Sequence, residues 1–187
     1  MSLILDGTNG ETLPSWTTAT RPASPVAGQQ GFNTTIGAME SYNGSAWQQF
    51  TNGPAFSAYQ SSAQTGLTAN TYTKVQFQTK EFDTASCFDA TTNYRFTPTV
   101  AGYYQVTAQV GFNTAMNYGV VSIYKNGSNF KATSAQQTYA LSVICNSLIY
   151  LNGSTDYIEI YVYPSATLSV VANSQSTFFQ ASLVRAA

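Results

Sequence analysis

From Tyr103 to Phe112 the side chains alternate. Tyr104, Val106, Ala108, Val110 and Phe112 fall on one face, and Tyr103, Gln105, Thr107 and Gln109 fall on the other. A period of two over that length predicts a half-buried antiparallel strand. Ahead of it, Arg95-Phe96-Thr97 predicts a short extended piece stopped by Pro98, with Ala101-Gly102 turning the chain back. The same grammar runs through the rest of the chain. Ala55 to Tyr59 and Tyr72 to Phe77 predict strands, and Asn117 to Tyr124 predicts another, closed by Asn126-Gly127 and answered by Phe130 to Thr133. Leu141 to Tyr150 is apolar on both faces (Val143 and Ile149 against Ile144 and Leu148), so it is expected to be covered on both sides. Asn152-Gly153 leads into Asp156 to Tyr163, where Ile158, Ile160 and Val162 oppose Tyr157, Glu159, Tyr161 and Tyr163. The last strand, Thr177 to Val184, sets Phe179, Ala181 and Leu183 against Phe178, Gln180, Ser182 and Val184. No segment carries a helical period. Roughly eight to ten antiparallel strands predict an all-β jelly-roll sandwich.

Residues 1–53 read differently. Pro14, Pro22 and Pro25 punctuate the first half, and Arg21-Pro22-Ala23-Ser24-Pro25 is expected to be extended and solvated. Phe32 to Ile36, Met39 to Tyr42 and Trp47 to Phe50 predict short strands, joined at Thr35-Ile36-Gly37-Ala38 and at Asn43-Gly44. A hairpin of this size is marginal alone. Trp16, Phe32, Tyr42, Trp47 and Phe50 are therefore expected to bury their rings against a sister arm or another protein. Asn52-Gly53-Pro54 marks the boundary, giving an arm over 1–53 and a sandwich over 54–187.

Composition sharpens the picture. Apolar residues make up an ordinary 43% of the 187, but charged residues make up only 8%, against about 25% in typical domains. A net charge of −1 gives almost no repulsion between copies, so much of the surface is expected to be covered by other chains. The basic residues Arg21, Lys74, Lys80, Arg95, Lys125, Lys131 and Arg185 stand singly, without the stripe that nucleic-acid binding needs. Leu3-Ile4-Leu5, cut short by Asp6, is too brief for a signal-peptide core, and no apolar run approaches membrane length. The chain is thus expected to be made and assembled in a cytosol. Cys87 and Cys145 either pair or stay as two reduced, buried thiols, and cytosolic synthesis favours the second. With no histidine and no Cys-x-x-Cys, neither zinc nor any other cofactor is expected. Thr79 to Asn93 holds Glu81, Asp83 and Asp89 and reads as a solvated loop wrapping the end of the sandwich. Calcium is the alternative, but the Asp-x-Asp-x-Asn-Gly spacing is missing. Without a histidine base or a distinguishable carboxylate pair, no enzyme is expected.

Two resemblances add to this reading. From Ala55 onward, Phe56-Ser57-Ala58, Val75-x-Phe77, Phe88-Asp89 and Tyr94-x-Phe96-Thr97-x-x-x-Ala101-Gly102-x-Tyr104 resemble the complement one-q and tumour necrosis factor superfamily. Ile123-x-Lys125-Asn126-Gly127 and Phe178-Phe179-x-Ala181-x-Leu183 fit the same pattern. Ala101 stands where that signature usually has Pro, and Asn152-Gly153 replaces its Gly-Asp turn. In the arm, Leu5-Asp6-Gly7-Thr8-Asn9-Gly10, Arg21-Pro22, Pro25, Gly28, Phe32-Asn33-Thr34, Glu40, Tyr42-Asn43-Gly44 and Trp47 resemble a segment of tailed-phage virion proteins.

The first resemblance implies a compact homotrimer. Tyr157, Tyr161 and Tyr163 are the candidate interface, since a strand with its aliphatic side in the core has no evident use within the chain for tyrosines opposite. The alternative for them is a tyrosine-rich binding surface. The second resemblance implies a virion location, with Trp16, Phe32, Tyr42 and Trp47 as candidate attachment residues. Together they imply a trimeric capsid decoration (cement) protein bound to a major capsid protein or to tail proteins, assembled in the host cytoplasm. A short tail or head fibre, a tail adaptor with a receptor-binding head, and a secreted one-q-like recognition protein are the alternatives.

Overall fold

The computed structural model describes residues 4–6, 10–50, 53–135 and 140–187. The chain forms two compact units, 1–52 and 53–187.

In the N-terminal unit β1 (Ile4–Asp6) pairs with β2 (Gly10–Thr12). A separate four-stranded sheet runs β3 (Ser15–Trp16), β4 (Gln30–Asn33), β5 (Ala38–Tyr42), β6 (Trp47–Phe50). β3 and β4 are parallel and the other neighbours antiparallel. Asn43-Gly44 makes the last turn, with Gly44 at φ +101° and the Asn43 Oδ1 accepting from the Ser45 and Ala46 amides. The proline-broken segment is extended, with Ala23 and Ser24 exposed as expected from sequence, but it is tied down at its start. Thr17 caps a short 3₁₀ turn, Thr18–Thr20, and Arg21 folds back onto Glu40. One face of the sheet is thereby covered: Trp16, Asn33, Ala38 and Glu40 are buried there.

The second unit is a jelly roll of two antiparallel sheets. Its strands are β7 (Ala55–Tyr59), β8 (Gln64–Leu67), β9 (Thr73–Lys74), β10 (Thr79–Asp83), β11 (Phe88–Asp89), β12 (Arg95–Phe96) and β13 (Ala101–Met116). They continue with β14 (Gly119–Lys125), β15 (Ser128–Ala135), β16 (Ala140–Asn152), β17 (Ile158–Pro164), β18 (Leu168–Val170) and β19 (Phe178–Ala186). The first sheet runs β10-β7-β19-β13-β16, with β18 and β8 added at the far end of β13. The second runs β11-β12-β17-β14-β15, with β9 added to β17. The alternating apolar positions read from sequence meet between the sheets. Tyr104, Val106, Ala108 and Val110 of β13 face Ile158, Ile160 and Val162 of β17, all fully buried, with Phe56, Phe88, Phe96 and Phe179 as a ring cluster at one end.

Two expectations are corrected here. Gly102 does not turn the chain; it lies inside β13, and the bend falls at Thr99 and Val100. Its lack of a side chain serves a close approach instead, because a Cβ there would stand 2.4 Å from the Arg185 carbonyl oxygen on β19. Thr79 to Asn93 is not a solvated loop. It supplies β10 and β11, and it buries Cys87 and Phe88 while Asp83 accepts the backbone N–H groups of both. Carboxylates that hold the backbone of a tight segment this way are structural. Both cysteines are free and buried.

Candidate functional site

Among the described residues no group of three His, Cys, Asp or Glu side chains could hold a metal ion. Asp83, Asp89 and Asp156 are engaged in holding backbone and neighbouring side chains. Asp89 accepts the amides of Thr92, Thr91 and Asn93, and these bonds hold it far below the usual carboxylate range. Burial pushes Asp83 and Asp156 up. Hydrogen bonds from Phe88, Cys87 and Lys80 to the first, and from Asn126, Lys125 and Asn152 to the second, outweigh it and leave both lowered.

The sequence-predicted tyrosines lie on the outward face of the second sheet. Each has a partner within the chain, so the premise that β17 had no internal use for them fails. Tyr161 stacks on Tyr124 with ring centroids 4.0 Å apart, Tyr163 packs on Tyr72 at 4.9 Å, and the Arg95 guanidinium lies 4.4 Å from the Tyr157 centroid. Cross-strand registry explains this, because Tyr161 stands beside β14, which brings Tyr124, and Tyr163 beside the end of the β8–β9 connection, which brings Tyr72.

The outward face of the first sheet is different. Leu148 is 54% exposed, Ile144 44%, Tyr150 43% and Tyr103 44%, and these residues line β16 and the adjoining part of β13. Phe82 on β10 is half exposed as well, beside a groove of about 250 Å³ lined by Ala55, Phe82, Gln105, Thr107, Gln180 and Ser182. Between Tyr103 and Gln109 on β13, Ile144 and Tyr150 on β16, and Phe178 and Ser182 on β19, no outward side chain is charged. Sequence reasoning had one signal for this face, the two-sided apolar pattern of Leu141 to Tyr150. The chain covers Val143, Cys145, Ile149 and Leu151 but leaves Ile144 and Leu148 bare.

In the N-terminal unit the four attachment candidates separate. Trp16, Tyr42 and Trp47 gather on the covered face, with Trp16 and Trp47 centroids 4.9 Å apart and Tyr42 5.5 Å from Trp47. Contrary to the expectation that this unit cannot bury its own rings, Trp16 is only 8% exposed. Its indole N–H donates to the Glu40 carboxylate at 3.0 Å, which also accepts from Asn33 Nδ2 and from Arg21. Burial raises Glu40, but those donors hold it below its ordinary value. Phe32 lies on the opposite, open face in a cross-strand row with Met39 and Phe50, next to a groove of about 380 Å³ lined by Thr12, Leu13, Ser15, Phe32 and Met39.

No protein-family model matches the sequence, and no curated protein matches it. Solved structures do share its shape. The globular domain of the zebrafish complement 1qA protein is 15% identical, covers 72% of this chain and 99% of its own, and superposes with a TM-score of 0.52. Murine APRIL is 14% identical over 70% of this chain and 98% of its own, at 0.56. The vertex protein P5 of PRD1 is 15% identical over 72% of this chain and 99% of its own, at 0.55. At such identities the likeness speaks to the fold alone, and the second unit has the jelly roll of the one-q and tumour necrosis factor proteins.

Proposed function

We propose that the protein is a non-enzymatic structural protein of a virus particle, a homotrimeric decoration of the capsid. The observation that carries the reading is the bare outward face of the first sheet. Ile144, Leu148, Tyr150, Tyr103 and Phe82 stand exposed on a face with an uncharged centre, in a chain with a net charge of −1. Contiguous exposed apolar patches of this kind mark interaction sites. Two copies meeting there bury aliphatic side chains without desolvating a charge. The interface is therefore assigned to this face rather than to Tyr157, Tyr161 and Tyr163. The virion location is supported by the shape shared with the PRD1 vertex protein and by the resemblance of residues 5–47 to a segment of tailed-phage virion proteins. The N-terminal unit attaches the trimer to the particle. Phe32 and Phe50, 40% and 61% exposed, are the rings available for that contact, while Trp16 is committed to its own unit.

The test is assembly followed by location. The full chain is expected to scatter light as a species near three times 20.1 kDa. Leu148→Asp, at a position exposed within one chain, is expected to give a folded monomer. Labelled protein is expected on the heads of purified particles in electron micrographs. A wild-type monomer at micromolar concentration refutes the assembly, and label confined to tails refutes the decoration role.

A further inference from the structure

Five tyrosines form an unbroken run over the outward face of the second sheet. Tyr118 meets Tyr163 at 6.4 Å, Tyr163 meets Tyr72 at 4.9 Å, Tyr72 meets Tyr124 at 6.0 Å and Tyr124 stacks on Tyr161 at 4.0 Å. They come from three places in the chain, the β8–β9 connection, β14 with its approach, and β17. Tyr157 extends the run along β17 toward Arg95. At a strand rise of about 3.3 Å per residue, Tyr157 to Tyr163 alone spans about 20 Å. Tyr72 is 41% exposed, and Tyr118, Tyr124, Tyr161 and Tyr163 are partly exposed.

We infer that this face binds a neutral polysaccharide chain laid along the tyrosine run. Two features select that occupant. The first is charge complementarity. The run's one carboxylate, Glu159, is 4% exposed and paired with Lys74, and Arg95 is held over the Tyr157 ring at its end, so between Tyr118 and Tyr161 the run offers rings and phenols with no exposed carboxylate. The second is the division of apolar surface. The large aliphatic side chains that the jelly roll exposes, Leu141, Ile144, Leu148 and Val184, all belong to the first sheet. A second copy of the chain finds its exposed aliphatic surface there and not here. The tyrosine face instead offers ring surface with a row of hydroxyls. A polyhydroxyl chain matches both, its C–H faces on the rings and its hydroxyls on the phenols. The inference stands on the second unit alone and does not depend on the trimer or on the particle.

The experiment uses the full chain on an array of immobilised dextran, amylose and galactomannan, with alginate and heparin as acidic probes and albumin and casein as protein probes. Binding to one or more neutral glycans is expected. Tyr72→Ala, at a side chain 41% exposed, is expected to weaken it at least tenfold with an unchanged circular dichroism spectrum. Tyr163→Ala is expected to weaken it similarly, and Tyr72→Ala decides the matter if that second variant misfolds. Phe82→Ser, on the other sheet, is expected to leave glycan binding within twofold even where it alters assembly. Binding only to acidic or protein probes, no binding at all, or binding that Tyr72→Ala leaves within twofold overturns the inference.

Discussion

Glu40 is the residue on which the N-terminal unit turns. Its side chain is fully buried and accepts from the Trp16 indole, from Asn33 Nδ2 at 3.1 Å and from two nitrogens of Arg21. Glu40→Ala removes the acceptor of all these donors at once and leaves a guanidinium over a cavity. Breaking a buried pair by deleting one partner costs about 3–5 kcal/mol. Arg21 retains some water, with its side chain 28% exposed, so the lower end, about 3 kcal/mol, applies. A unit of residues 1–52 is expected to hold about 3–8 kcal/mol in all, so the substitution removes much of its stability. The assay is unusually clean, because Trp16 and Trp47 are the only tryptophans and both lie in this unit. Indole emission therefore follows the N-terminal unit while the jelly roll stays silent. With a urea slope of about 1 kcal/mol/M for so small a unit, the midpoint of the emission shift is expected to fall by about 3 M. The far-ultraviolet signal of the jelly roll is expected to keep its own midpoint. An unchanged emission midpoint in Glu40→Ala would refute the claim that this network holds the unit together.

Two further outcomes follow from the geometry. Gly102→Ala puts a Cβ 2.4 Å from the Arg185 carbonyl and 2.6 Å from Leu183 Cδ1, an overpacking expected to cost about 1–3 kcal/mol and to lower the jelly roll's melting temperature by about 4–10 °C; an unchanged melting curve counts against the close approach. Acid is expected to destabilise the protein in a defined window: Glu40, Asp83, Asp89 and Asp156 are all lowered in the folded chain, so the unfolded chain binds their protons first as pH falls. Their contribution is complete above the ordinary carboxylate range and is lost as pH falls through the folded values, and with no histidine present the melting temperature is expected to stay level from about pH 5 to 8 and fall below about pH 4. A fall between pH 6 and 8 contradicts that account.

The sequence by itself determined which faces of the long strands meet. In β13, β17 and β19 the period of two assigns every inward residue, because a one-residue slip would send Val106, Ile160 or Phe179 into water. The turn dipeptides were legible for a related reason: Asn126-Gly127 adopts positive φ at both residues, at 52° and 78°, which few other pairs tolerate. Short pieces were not legible. β8, β11 and β18 are four, two and three residues of weak pattern, held only by their neighbours. Gly102 looked like a turn from its dipeptide, and only the distance to β19 shows why a side chain is excluded there. Local sequence also cannot tell an arm from a folded unit, since the partner that makes Arg21 structural is Glu40, 19 residues away. The roles of the tyrosines and of the first sheet's outward face were decided by tertiary structure for one physical reason. Alternation states that a side chain points away from the core, but whether it then meets solvent or a ring on the next strand depends on registry between strands distant in sequence, as with Tyr161 on Tyr124 and the bare Leu148.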